Sequence, residues 1–269
     1  MTRTWRYINS GPLDGSWNMA LDAVLFESVA KGESPPILRL YNWRPPTVTL
    51  GYGQRDAEAV DLDYCRRAGL DVVRRPTGGR AVLHDREVTY AIIAPEGMDD
   101  FSGGILENYR AISEILRDTV RSFGLPAELV TGRSGTAQKT GVDRSVCFTA
   151  PSSYELVIDG CKIAGSAQKR GQGAFLQHGS IPLEMDLEKL FRALSPGGAH
   201  SGRGAERLSR SVGWLNRYAS HKLTVRQVED RLVECFIARL GCRLAEDSPT
   251  KAEESQARDL AAGIYRRLG

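Results

Sequence analysis

The segment Tyr154-Glu-Leu-Val-Ile-Asp-Gly-Cys-Lys-Ile-Ala-Gly-Ser-Ala-Gln-Lys-Arg-Gly-Gln-Gly-Ala-Phe-Leu-Gln-His-Gly-Ser-Ile181 decides how the fold is read. Asp159-Gly160 lies between apolar runs and is a strong hairpin signal, because both residues tolerate the positive φ that a tight turn requires. Gly171-Gln-Gly173 reverses the chain a second time. The pattern predicts a three-stranded meander over 154–158, 161–165 and 174–181. Links this short join antiparallel strands, since parallel neighbours need a crossover of a dozen or more residues.

Working outward, Met19, Leu21, Val24, Leu25 and Val29 predict a helix over 18–30, with Ser16 or Asn18 as its cap and Gly32 at its end. Strands are expected at 37–41 and 47–51, parted by a turn around Arg44-Pro-Pro. A strand at 71–74 runs into a glycine turn, and 81–84 and 88–93 continue as strands. Residues 63–68 and 186–194 read as short helices. Tyr109, Ile112, Leu116 and Val120 share one face of a helix over 108–123 that stops at Gly124. Helices at 225–240 and 252–268 flank a short strand at 242–244. The polar, glycine-rich stretches 131–145 and 195–206 read as loops. Hairpins with interspersed helices suit an α+β fold better than a doubly wound sheet. With no repeat, low-complexity tract or linker, one domain over residues 1–269 is expected.

The 269 residues are 41% hydrophobic and 26% charged, with a net charge of +3. That excess is too diffuse for a nucleic-acid coat or a polybasic membrane binder. No apolar run reaches 18 residues, and Met1-Thr-Arg-Thr-Trp-Arg-Tyr lacks the apolar core of a secretion signal, so a cytoplasmic protein is expected. Cys65, Cys147, Cys161, Cys235 and Cys242 are an odd number, far apart and without a Cys-x-x-Cys pair. They suit a reducing compartment and match neither a disulfide framework nor a zinc spacing. His84, His178, His200 and His221 show no metal-ligand spacing, so no metal is expected. Gln138 stands where a phosphate loop ending in Lys139-Thr140 would need glycine.

Three segments could carry chemistry. In Arg74-Arg-Pro-Thr-Gly-Gly-Arg-Ala-Val-Leu-His-Asp85, Gly78-Gly79 is either a tight hairpin turn or a backbone cradle for a ligand, with Arg74, Arg75, Arg80 and His84 around it. In 160–170, Lys162 shares a face with Ala164, opposite Cys161 and Ile163, and lies among the small residues Ala164, Gly165, Ser166 and Ala167. It is either a surface lysine on a half-exposed hairpin or a cation beside space left by small residues. Cys147-Phe-Thr-Ala-Pro-Ser152 offers a thiol at a loop end, which is either a small packed hydrophobe or an accessible nucleophile. Cys65, Cys161, Cys235 and Cys242 read as packed. His178 either lines a site or is a structural histidine.

Together these segments resemble the lipoate/biotin protein ligase family. Asn18-Met-Ala-Leu-Asp22 is similar to its first helix and Thr47-Val-Thr-Leu-Gly-Tyr-Gly-Gln54 to a characteristic strand. Residues 74–85 resemble its glycine loop, and 160–170 with Leu176-Gln-His-Gly-Ser-Ile181 its lysine-bearing hairpin. The resemblance implies the class II aminoacyl-tRNA synthetase/biotin synthetase-like catalytic domain, a mixed, mostly antiparallel sheet flanked by helices, with an acyl tunnel beside the glycine loop. It implies substrate contacts from Arg75, Thr77, Gly78, Gly79, Arg80, His84, Gly165, Ser166, Ala167, Gln168 and His178.

The sequence departs from ATP-using lipoate ligases where Arg80 replaces a third loop glycine and where no accessory domain is expected after residue 269. Cys147-Phe-x-x-Pro-Ser resembles the nucleophile segment of the octanoyl-[acyl-carrier-protein]:protein N-octanoyltransferases of ligase-like shape. The resemblance implies transfer of octanoyl from acyl carrier protein through a Cys147 thioester to a lysine of a lipoyl-domain protein such as glycine-cleavage H protein. No cofactor is then required, because a thioester is already activated. Lys162 would stabilise thiolate and oxyanion. An ATP-dependent lipoate-protein ligase and an octanoyl amidotransferase between lipoyl-domain proteins are the alternatives. The expected protein is a monomer that binds neither nucleic acid nor membrane. Residues 203–243, with nine Lys/Arg against four Asp/Glu, are either a docking surface or a solvated helical face.

Overall fold

The computed structural model of the protein describes residues 2–130, 154–196 and 204–268. In chain order the elements are β1 (Thr4–Leu13), α1 (Gly15–Ala30), β2 (Ile37–Trp43), β3 (Thr47–Leu50), α2 (Asp56–Ala59), α3 (Leu62–Arg67), β4 (Asp71–Arg74), β5 (Val82–His84) and β6 (Glu87–Pro95). Then come α4 (Ile105–Arg121), β7 (Glu128–Val130), β8 (Glu155–Ile158), β9 (Cys161–Lys162), β10 (Gly165–Gly171), β11 (Ala174–Pro182) and α5 (Leu187–Ala193). The chain closes with α6 (Gly204–Leu208), α7 (Leu215–Tyr218), α8 (Val225–Leu240), β12 (Arg243–Glu246) and α9 (Lys251–Ala262).

Among the described residues the strands form three sheets, ordered β10-β11-β6-β2-β1-β12, β4-β3-β5 and β7-β8-β9. In the large sheet β1 runs parallel to both β2 and β12, whereas β2-β6, β6-β11 and β10-β11 are antiparallel. Helix α1 packs on one face with α9, burying Ile37, Tyr41, Ala91, Ile93 and Leu176. On the other face α4 and α8 cover Leu38, Leu40, Tyr90, Ile92 and Phe175. Alternate residues of β2 and β6 thus serve opposite cores, as the two-residue period of a strand requires. No helix among the described residues is long and apolar enough to cross a membrane.

The predicted meander divides between two sheets. Asp159 and Gly160 take the turn at φ 49° and 74°, pairing β8 with β9. Buried Ile163 and Ala164 then carry the chain into the large sheet, where β10 and β11 make a second hairpin. The expected strand over 161–165 is therefore the end of one strand and the start of another. Alternation specifies faces, not sheets, so this switch has no period-two signature.

The glycine loop also differs from a hairpin turn. Strands β4 and β5 do not pair with each other; each pairs with β3, one parallel and one antiparallel. Residues 75–81 cross the end of β3. Asp14, rather than Ser16 or Asn18, caps α1, its Oδ1 accepting the Trp17 amide at 2.9 Å. Asn18 instead donates from Nδ2 to the carbonyls of Leu13 and Asn42. The last helix ends at Ala262 rather than 268, and Leu268 donates its amide to the Val72 carbonyl beside β4.

Candidate active site

The site begins with charges that α1 and β2 bury. Asp22 and Arg39 are both fully inaccessible, and Arg39 Nη1 donates to Asp22 Oδ1 at 2.6 Å. Arg39 also donates to the Asn18 carbonyl and Oδ1, and its guanidinium lies 4.0 Å above the Tyr41 ring. The second oxygen of Asp22 accepts Tyr41 Oη–H at 2.8 Å and His178 Nδ1–H at 2.9 Å. Burial pushes the Asp22 carboxyl up, but Arg39 and His178 outweigh it and hold the group below the ordinary carboxylate range. Burial holds the His178 imidazole below its ordinary value despite the opposing pull of Asp22. A neutral ring that donates from Nδ1 must accept at Nε2, so Thr77 Oγ1 donates to Nε2 at 2.6 Å. The chain Arg39–Asp22–His178–Thr77 thereby ties the first helix and strand to the glycine loop.

Arg75 organises that loop from inside. Its guanidinium donates to the carbonyls of Thr49, Gly78 and Arg80 at 2.7–3.1 Å, and it is only 5% exposed. Gly79 sits at φ 94°, and a Cβ there would come within 2.7 Å of Arg75 Nη2. Opposite, a Cβ on Gly51 would fall 2.0 Å from the Gly79 carbonyl oxygen, so glycine at 51 is what lets the loop lie on the end of β3. His84 joins the same shell: Nδ1 donates to Glu87 Oε1 at 2.7 Å, Nε2 meets Thr49 Oγ1 at 2.9 Å, and the ring stacks on Trp43.

Lys162 is 7% exposed, not a surface lysine. Its amide donates to the Ser211 carbonyl and its carbonyl accepts from the Gly213 amide, which fixes the backbone. Its Nζ donates to Glu155 Oε1 at 2.8 Å. The Asp159-Gly160 turn pairs Lys162 with Val157, and Glu155, two residues away on the same face, is the diagonal neighbour.

These parts surround a cavity that opens to solvent. Met19, Tyr41, Trp43 and Val82 give it an apolar wall, and Lys162, Gly165, Ser166, Ala167 and His178 stand at its polar side. The apolar wall with a few convergent polar groups matches a small-molecule site. Residues 14–237 match the lipoyl protein ligase A/B catalytic domain.

This chain belongs to the lipoyl protein ligase A/B catalytic domain family.

Family relatives cover nearly its whole length. It is 40% identical over 265 residues to octanoyltransferase LipM of Kyrpidia tusciae, covering 97% of this chain and 96% of the relative. It is 37% identical over 263 residues to octanoyltransferase LipM of Staphylococcus aureus, covering 97% and 95%. Among solved structures, lipoate-protein ligase A bound with ATP superposes with a TM-score of 0.77 at 25% identity, over 98% of this chain and 95% of that one. A bipartite lipoate protein ligase from Thermoplasma acidophilum also gives 0.77, at 26% identity, over 97% and 93%. The α+β fold, with a mixed, mostly antiparallel sheet flanked by helices, is that of these ligases.

Of the residues expected at the family's site, Arg75, His84, Lys162, Gly165, Ser166, Ala167 and His178 line the cavity together. Thr77 stands behind His178, and Gly78, Gly79 and Arg80 form the loop that Arg75 holds. Gln168 does not line the cavity; it donates to Gln177 across the β10-β11 ladder on the face covered by α4. Cys147 lies outside the described residues. The other cysteines are packed: Cys65, Cys161 and Cys242 are buried and Cys235 is half-buried, with burial pushing the Cys65 thiol up to about 11. In the basic stretch, Arg226 and Arg231 pair with acids within α8, Arg210 reaches back to Glu206 of α6, and Lys222 and Arg239 pair with Glu184 and Glu114.

Asp22, Arg39, Gly51, Glu155 and Gly179 were not among the expected site residues. A signal existed for the first pair, because a lone aspartate in an apolar helix and a lone arginine in Ile37-Leu-Arg-Leu-Tyr41 imply buried charges that need each other.

Proposed function

We propose that the chain takes octanoyl from octanoyl-acyl carrier protein onto Cys147 and passes it from that thioester to a lysine of a lipoyl-domain protein such as glycine-cleavage H protein. The coarse activity, octanoyl transfer in lipoate biosynthesis, is that of relatives matched over nearly the full chain. The observation that carries the reading is buried Lys162, ion-paired with half-buried Glu155, on the wall of a largely apolar cavity. An apolar wall suits an eight-carbon chain, and a cation at its polar side suits the charges that acyl transfer develops.

Exchange of a thioester onto a thiol is close to neutral in energy, and release to an amine needs no further activation. An ordinary thiol of pKa about 8.5 is only a few per cent thiolate at neutral pH, so a neighbouring cation favours the attacking form. Lys162 is that cation, and it also stabilises the tetrahedral oxyanion. The first step breaks the carrier thioester and forms the Cys147 thioester, releasing the carrier thiol. The second forms the amide on the acceptor lysine and returns the Cys147 thiol. Gly78 and Gly79, held by Arg75, border the acyl carbonyl. The protein acts as a monomer on its two protein substrates.

The test is an ATP-free mixture of the enzyme, octanoyl-acyl carrier protein and an unmodified lipoyl-domain protein. Octanoylation of the acceptor lysine is expected. A strict requirement for ATP and free octanoate would identify a ligase instead. Transfer from octanoylated H protein alone would identify an amidotransferase.

A further inference from the structure

The face of the large sheet covered by α4 carries a line of polar groups that leads to the cavity. Tyr90, Gly179 and Ser166 are direct neighbours in one row across β6, β11 and β10. The central position has no side chain, and a Cβ on Gly179 would lie 2.7 Å from Ser166 Oγ and 2.9 Å from Tyr90 Oη. The two hydroxyls therefore meet across the glycine, 2.7 Å apart. Ser166 lines the same cavity as Lys162.

Behind them stand two glutamines, with Gln168 Oε1 buried and without a hydrogen-bond partner among the described residues. Gln168 Nε2 donates to Gln177 Oε1 at 3.0 Å, and Gln177 Nε2 donates to Tyr90 Oη at 3.4 Å. Tyr90 and Gln177 are both fully buried, so neither finds water in place of these partners. With the Tyr90 oxygen already accepting from Gln177, the arrangement in which Tyr90 donates to Ser166 Oγ gives the buried phenol proton an acceptor. Burial pushes the Tyr90 phenol far above its ordinary value, which keeps that proton in place. In that arrangement the Ser166 proton is available to the cavity that Ser166 lines. The Tyr109 hydroxyl, donating to the Ser166 carbonyl at 3.2 Å, steadies the strand there.

We propose that Gln168, Gln177 and Tyr90 form a directed hydrogen-bond chain that presents the Ser166 proton to the carbonyl oxygen of the octanoyl thioester. Ser166 is then a catalytic oxyanion donor alongside Lys162, and Tyr90 is its positioning residue. The inference rests on the thioester-transfer reading above. A donor fixed before the substrate arrives needs no reorientation as the oxyanion forms, which is the condition under which such a bond accelerates acyl transfer.

The experiment is a double-mutant cycle on the single-turnover rate of octanoyl loading from octanoyl-acyl carrier protein. Ser166→Ala is expected to slow loading by about 10²-fold, as loss of one oxyanion donor does, with KM little changed. Tyr90→Phe is expected to slow it less, and Ser166→Thr to restore much of the rate. Because Tyr90 acts through Ser166, the double variant should load no more slowly than Ser166→Ala alone. Gln177→Glu replaces the donor to Tyr90 with an acceptor and should slow loading while Ser166 is still present. This variant tests the chain even if Tyr90→Phe fails to fold. Unchanged loading by Ser166→Ala, or multiplying losses in the double variant, would overturn the proposal. A wild-type enzyme that loads no octanoyl would remove the transfer reading beneath it, which is a separate failure.

Discussion

Replacing Lys162 with methionine is expected to lower the single-turnover rate of octanoyl transfer by about 10²–10³-fold, the loss seen when an oxyanion donor is removed from an acyl-transfer site. The difficulty is that Lys162→Met also removes the Nζ–Oε1 contact from Glu155, only 19% exposed at its side chain. Loss of one partner of a buried pair destabilises a fold by itself. The double variant Lys162→Met/Glu155→Gln separates the two effects. It should recover the thermal midpoint lost in Lys162→Met yet stay slow in transfer. Recovery of both stability and rate would make Lys162 a structural partner of Glu155 and nothing more.

The second large effect concerns stability. Asp22→Ala strips Arg39 of its carboxylate in a fully buried site, and a cost of about 3–5 kcal/mol is expected in urea unfolding. His178 loses the acceptor that fixes its tautomer, so the Thr77 bond to the glycine loop weakens with it. The same network predicts a pH dependence. His178 in the folded state sits below its ordinary 6.5 and Asp22 below its ordinary 3.8, so the unfolded chain binds more protons as the medium is acidified. The stabilisation is fully present above pH 6.5. It is lost first as pH falls through the His178 range and later as it falls through that of Asp22. Urea midpoints measured from pH 7.5 to 5 should decline in the wild type, and His178→Gln should flatten the decline.

Much of this architecture was legible in the chain. The Asp159-Gly160 turn set the β8-β9 register, and the apolar face at Ile112, Leu116 and Val120 marked α4. Seven of the residues picked out by the glycine loop and the lysine hairpin do line one cavity. The misses have physical causes. Ile163 and Ala164 are apolar in either of the sheets they connect, so composition could not show where the chain changes sheet. Gly51 and Gly179 matter for the atoms that approach them from distant strands, the Gly79 carbonyl and the Tyr90 hydroxyl, and no local pattern encodes such an approach. Glu155 was recoverable, because the two-residue turn that pairs Val157 with Lys162 also puts Glu155 on the lysine's face. Gln168, implied as a substrate contact by the family resemblance, shares a face with Ser166, but two residues along the strand it bonds to Gln177 and does not line the cavity.

The intact mass of the enzyme reports whether Cys147 carries a covalent octanoyl intermediate. After incubation with octanoyl-acyl carrier protein and no ATP, one added octanoyl group is expected, mapped by proteolysis to the peptide containing Cys147. The adduct should be absent from Cys147→Ala and discharged on addition of an unmodified lipoyl-domain protein. A modification that requires ATP and survives Cys147→Ala would contradict the Cys147 intermediate.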